Sequence, residues 1–118
     1  MATNSLPEIP QNLPQTRDAA QSLLDKLTNA NPTNAADSQT VSDAIDALNA
    51  ILTQLNREDM LSRDGAMQAA AAEIKDPLKK LGDLKSQLAD IASRIQTLGT
   101  IAGDVDSVLG GCKSVFKI

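Results

Sequence analysis

The sequence predicts an all-α protein: a helical bundle or antiparallel helical hairpin with coiled-coil-like heptad packing, behind an extended Pro-rich N-terminal arm. Three observations predict it. An apolar residue recurs at alternating spacings of three and four from Leu81 through Leu84, Leu88, Ile91, Ile95, Leu98, Ala102, Val105 and Leu109 to Cys112. That alternation marks one helix face held against other helices. The chain has no Trp, no Tyr and a single Phe, Phe116, so its core must be built from Leu, Ile, Val, Ala and Met. Such residues suit helix packing, whereas sheets favour β-branched and aromatic side chains. Finally, nowhere do β-branched residues alternate with polar ones for long, so a strand pattern is missing.

The 118 residues fit one small domain. Residues 1–14 contain Pro7, Pro10 and Pro14. Proline holds itself and its predecessor in extended conformations, which predicts a mobile arm over 1–14. Residues 15–118 then form a single helical domain. Its first helix covers about 15–30, with Ala20, Leu23, Leu24 and Leu27 as an apolar stripe, and Asn31-Pro32 ends it. A second helix covers about 38–56. Val41, Ala44, Ile45, Leu48, Ile51, Leu52 and Leu55 give it an amphipathic face, and Asn34 or Asp37 can cap it.

The periodicity then slips by one residue, so a break, bend or stutter is expected within 56–65. A third helix is expected over 58–75, where AMQAAAAEIK at 66–75 has strong helix propensity. Asp76-Pro77 is the best local start signal: Asp caps free N–H groups, and Pro at the first helical position loses no internal hydrogen bond. The last helix is placed at 77–109, stopped by Gly110-Gly111. Whether the chain reverses or only kinks at Asp76-Pro77 is left open by the pattern. Leu88 and Ile95, mid-seam, are the expected core anchors.

With Leu81 and Leu84 taken as a and d, the flanking g positions turn apolar toward the C-terminus, at Ile101, Val108 and Val115. A two-stranded zipper would carry charges there. The buried face is therefore wide and suits three or more helices, from this chain or a second copy. The candidate interaction face is Ile101, Val105, Val108, Leu109, Val115 and Phe116, and a dimer is the expected form of self-association. The f positions Ser86, Ser93, Thr100, Ser107 and Ser114 read as a neutral solvated face, with Asp83, Asp90 and Asp104 as a negative stripe beside it.

Charge and composition exclude several roles. The net charge is −4, and residues 1–56 hold Glu8, Asp18, Asp25, Asp37, Asp43 and Asp46 against only Arg17 and Lys26. Nucleic-acid binding needs a basic face and gains from aromatics that stack bases. The one basic concentration, Lys75, Lys79, Lys80 and Lys85, has Asp76 and Asp83 inside it and reads as solvated helix surface. No apolar run is long enough for a transmembrane helix. No cleavable secretory signal is recognised, so a cytoplasmic protein, or one exported without such a signal, is expected.

The chain has no His. That removes the usual general base, the commonest metal ligand and every Ser-His or Cys-His nucleophile pair. Cys112 is the sole cysteine, which excludes an internal disulfide; it reads as a small apolar seam residue. The Glu residues are few and the Asp spacing is not that of a calcium loop. The expectation is a non-catalytic helical interaction or assembly protein: an adaptor, a structural subunit, or a secretion-related component or chaperone. No cofactor, metal or catalytic residue is assigned. The alternative is a soluble bundle carrying lipid or another amphiphile, which the aliphatic interior permits and no residue demands.

Overall fold

In the computed structural model, which describes residues 13–57 and 65–116, four helices run in chain order: α1 (Leu13–Thr28), α2 (Ala35–Leu55), α3 (Ala66–Ala92) and α4 (Ile101–Phe116). A short 3₁₀ turn, Gln96–Leu98, lies between the last two. No strand occurs among the described residues. Each helix packs on its two neighbours in the ring α1–α2–α3–α4, with α1 also against α4. Cross-helix contacts fix the directions. Arg17 near the start of α1 meets Leu55 at the end of α2. Gln54 of α2 meets Glu73 early in α3, and Lys85 of α3 meets Asp106 of α4. Lys26, late in α1, pairs with Asp104, early in α4. All neighbours are antiparallel, so this is an up-down-up-down bundle.

Helix α1 starts two residues inside the expected arm. Leu13 is 2% exposed and anchors the first turn. Pro14 is tolerated beside it because a first-turn N–H has no helical partner to lose. Residues 1–12 of the expected arm lie outside the described residues. Helix α2 starts at Ala35, three residues before the expected 38. Asn34 is its cap, with Oδ1 accepting from the Asp37 backbone N–H at 2.8 Å. The expected break between the second and third helices falls where the pattern slips, after Leu55 and before Ala66. The stretch 58–64, placed in the third helix from sequence, lies outside the described residues.

Two expected boundaries are corrected. Asp76-Pro77 neither starts a helix nor reverses the chain, because Pro77 lies inside the 27-residue α3. Its interior position costs about 3 kcal/mol. Ile74, Leu78 and Leu81 on either side are buried, and each stabilises by about 1.5–3 kcal/mol. Packing on both sides therefore outweighs the proline. The expected single helix 77–109 is instead broken over 93–100. Ser93 closes α3, with its Oγ donating to the Asp90 carbonyl at 2.6 Å. Ile95 is extended (φ −123°, ψ 103°), and Gly99 takes φ 49°, ψ −116°, a left-handed conformation that glycine alone adopts without strain. Reversal here lets α4 fold back and close its own seam.

Gly110-Gly111 does not stop the last helix, which continues to Phe116. The core it completes is aliphatic. Leu48, Ile51, Leu55, Ile74, Leu81, Leu88, Val105 and Val108 have no exposed surface. No helix among the described residues is long and apolar enough to cross a membrane.

Candidate functional site: a lysine-rimmed groove between α3 and α4

The residues expected to form an open interaction face do not form one. Ile101, Val105 and Val108 are fully buried, and Val115 and Phe116 are nearly so. The g positions turned apolar because they meet α1 and α3 of the same chain, so no second copy is needed to cover them. Only Leu109 is half-exposed. Of the two expected anchors, Leu88 is fully buried and Ile95, in the reversal, is half-buried.

Leu109 marks the exception to this closure. It reaches across the α3–α4 boundary where Gly82 lacks a side chain: a Cβ on Gly82 would lie 3.6 Å from Leu109 Cδ1. The result is a groove of about 460 Å³, lined by Lys75, Leu78, Lys79, Gly82, Asp83, Leu109 and Lys113 and open to solvent. Its floor is Leu78 and Leu109. Its rim is basic. Lys79 pairs with Asp83 at 3.2 Å, with both side chains largely exposed, a bond that contributes little. Lys85 and Asp106, 2.7 Å apart, lie one turn beyond the floor. Lys75 and Lys113 flank the other end, and neither has a carboxylate partner among the described residues. Helix spacing explains the convergence. Lys75, Lys79 and Gly82 share one face of α3, as Leu109 and Lys113 share one face of α4.

Other surface features are self-satisfied. A depression of about 260 Å³ between α2 and α3 carries Asp46 and Asp76 beside Lys80, over Ala47, Ala50 and Pro77. Its charges are mixed and no large aliphatic side chain lines it. The negative stripe read from sequence is neutralised: Asp83 pairs with Lys79, Asp90 with Arg94, and Asp104 with Lys26. The hydroxyl f positions are all exposed, but Ser86 lies on α3, Ser93 and Thr100 lie in the reversal, and Ser107 and Ser114 lie on α4, so they form no continuous ladder. Cys112 is buried, and burial pushes its thiol up to about 12. It is therefore protonated and unreactive at neutral pH. No cluster of metal-ligating side chains occurs among the described residues.

Lys75 and Lys79 belong to the basic concentration visible in the sequence, which reads there as solvated surface; the groove is not visible. Lys113 joins them only through the α3–α4 reversal, which the unbroken heptad pattern concealed. The usable signal was Gly82, a glycine one residue from the seam in an otherwise strong helix.

Comparison of the chain with protein-family models, with curated proteins and with solved structures returns no match.

Proposed function

We propose that this protein is a non-catalytic helical interaction module that holds an acidic amphipathic helix of a partner protein in the α3–α4 groove. The observation that carries this reading is a pair of cations, Lys75 and Lys113, with no carboxylate partner among the described residues, beside the apolar floor of Leu78 and Leu109. A trough between two antiparallel helices accepts the ridge of a third helix. Apolar anchors spaced by three and four would rest on Leu78 and Leu109. Carboxylates on the same partner would meet the two lysines, which favours acidic partners over basic ones.

The geometry favours this reading over amphiphile carriage. A carrier encloses most of its ligand, yet the bundle centre is filled by Leu48, Ile51, Leu81, Leu88, Val105 and Val108, and the groove lies at the surface.

The test titrates ¹⁵N-labelled full-length protein with two helical peptides sharing the same apolar positions, one with Glu and one with Lys at the polar ones. The acidic peptide should shift the amides around Gly82, Leu109 and Lys113, with affinity falling in high salt and in Lys75→Glu/Lys113→Glu. Equal binding of both peptides, or none at millimolar concentration, would remove the proposal. Oleate saturating the same amides while both peptides stay inert would overturn it in favour of the amphiphile reading.

A further inference from the structure

The α3–α4 reversal interrupts a pattern that does not itself stop. Leu88, Ile91, Ile95, Leu98, Ala102 and Val105 keep the alternating spacing of three and four straight through 93–100. No proline follows Pro77, so nothing in the hinge forbids an α-helix. The reversal depends on a few local devices: Ile95 in extended conformation, the turn Gln96–Leu98, and Gly99 at φ 49°. Gly99 is exposed, and a Cβ there would meet nothing beyond its own chain neighbours closer than the Gln96 carbonyl oxygen at 3.8 Å. Packing does not require glycine at this position; the backbone conformation does.

We propose that the α3–α4 hairpin is a hinge that opens into one continuous helix over 66–116, and that two open chains exchange α4 to form a dimer. The occupant of the vacated site is a second copy, because only α4 carries the surface that fits it. Ile101, Val105, Val108 and Cys112 would pack on the partner subunit as they pack within one chain. The Lys26–Asp104 and Lys85–Asp106 pairs would re-form across the dimer. The contacts of α4 with α1 and α3 are thus kept, and the two forms differ in the hinge, where opening gives up the contacts of the reversal itself, buried Leu98 among them. The face that the sequence marks for self-association is then intramolecular in the monomer and intermolecular in the dimer. This inference is independent of the groove and its partner.

Two hinge variants push the equilibrium in opposite directions. Gly99→Ala penalises the left-handed conformation of the closed form and favours the helix. Gln96→Pro does the reverse. Residue 96 is the first of its turn, where proline is tolerated, and Ile95 already has the extended backbone that a following proline requires. Inside a continuous helix the same proline is disfavoured.

The experiment uses the full chain with Cys112→Ala and spin labels at Ser86→Cys and Ser107→Cys, both exposed. Labelled chains are refolded with a large excess of unlabelled chains, so only distances within one chain are read. The closed hairpin holds these sites close together, beside the Lys85–Asp106 pair. A continuous helix separates them by about 32 Å. Light scattering gives the mass in parallel. Gly99→Ala should raise the dimer association constant at least a hundredfold, about tenfold per chain, with the long distance appearing in the dimer fraction. Gln96→Pro should abolish both signals and restore the monomer in the double variant. If Gly99→Ala is destabilised but stays monomeric with only the short distance, the proposal fails. It fails equally if a dimer forms in which the distance remains short. Should Gly99→Ala not fold, wild-type protein refolded at high concentration decides alone: a dimer with the long distance, absent in Gln96→Pro, supports exchange, and a monomer refutes it.

Discussion

Arg94, just past the end of α3, places one guanidinium nitrogen 2.8 and 2.9 Å from the two carboxylate oxygens of Asp37 in the first turn of α2. Asp37 is buried, and Asn34 Nδ2 also donates to it at 3.1 Å. The carboxylate thus lies at a helix N-terminus, where negative charge is favoured. Through Arg94 it fastens that end to the reversal between α3 and α4. Arg94 also reaches Asp90 at 3.3 Å.

Removal of either partner should loosen this end of the bundle, and their effects should not add. Asp37→Ala and Arg94→Ala each lower stability, and the double variant falls short of the sum because the Arg94–Asp37 contact can be lost only once. Urea unfolding of the four proteins measures the coupling. The hydrogen bond to Asp37, followed by that to Asp90, raises the Arg94 pKa above its ordinary value. Stability from a raised cation is present below its unfolded pKa and lost only above it. The arginine's own titration therefore adds no pH dependence between pH 5 and 9. Additive effects in the cycle would show that the contact is not energetic.

Cys112 does produce a pH dependence, on the alkaline side. Burial raises its pKa from 9.0 to about 12. The unfolded thiol ionises first, so between those values the unfolded state holds fewer protons than the native state. Stability then falls as pH rises, with a slope approaching about 1.4 kcal/mol per unit. Well below pH 9 the effect vanishes, because the thiol is protonated in both states. The measurement is the difference between wild type and Cys112→Ala at pH 8 and pH 10.5, which isolates the thiol. Wild type should lose more stability, and its thiol should react with a disulfide reagent only on unfolding.

Helix content and the identity of the core were legible because they depend on local spacing. Ala20, Leu23, Leu27, Val41, Leu48, Ile51, Leu81 and Leu88 follow the 3.6-residue period and are all buried. The errors arose where local and tertiary signals compete. Pro77 carries a strong start signal, yet Ile74 and Leu78 on either side of it are buried, and packing prevailed. Gly110-Gly111 looks like a stop, but α4 is held there against α1 and continues to Phe116. The reversal at 93–100 was hidden because its apolar residues stay in phase. The groove depended on that reversal, so Lys113 could not be joined to Lys75 from sequence.

Leu88 and Ile95 were equivalent in sequence and should differ on truncation. Leu88 is fully buried within α3, so Leu88→Ala removes core volume that neighbouring helices cannot refill. The cost should be about 2–5 kcal/mol. Ile95 is half-exposed in the reversal, and Ile95→Ala should cost about half as much, since less area leaves the interior. Chemical denaturation midpoints give the comparison; equal losses would mean that the reversal is packed as tightly as the helix.

The adjacent glycines of α4 should respond to alanine with opposite signs. A Cβ on Gly110 meets nothing within 4 Å. Gly110→Ala therefore gains helix propensity without a clash and should stabilise by about 0.5–1 kcal/mol. A Cβ on Gly111 points into α1. It would press on the Thr16 hydroxyl and lie 3.0 Å from Thr16 Cγ2 and 3.2 Å from Thr16 Cβ. Thr16 is itself 3% exposed, so it has little room to withdraw. Overpacking of this kind costs about 1–3 kcal/mol, which exceeds the propensity gain, and Gly111→Ala should be net destabilising. Thr16→Ala deletes the hydroxyl and the methyl but leaves Cβ. Gly111→Ala in that background should therefore recover part, but not all, of its loss. Thermal unfolding of the three single variants and the Thr16→Ala/Gly111→Ala double variant decides it. If Gly111→Ala stabilises as much as Gly110→Ala, then α1 and α4 are not held at this separation in solution.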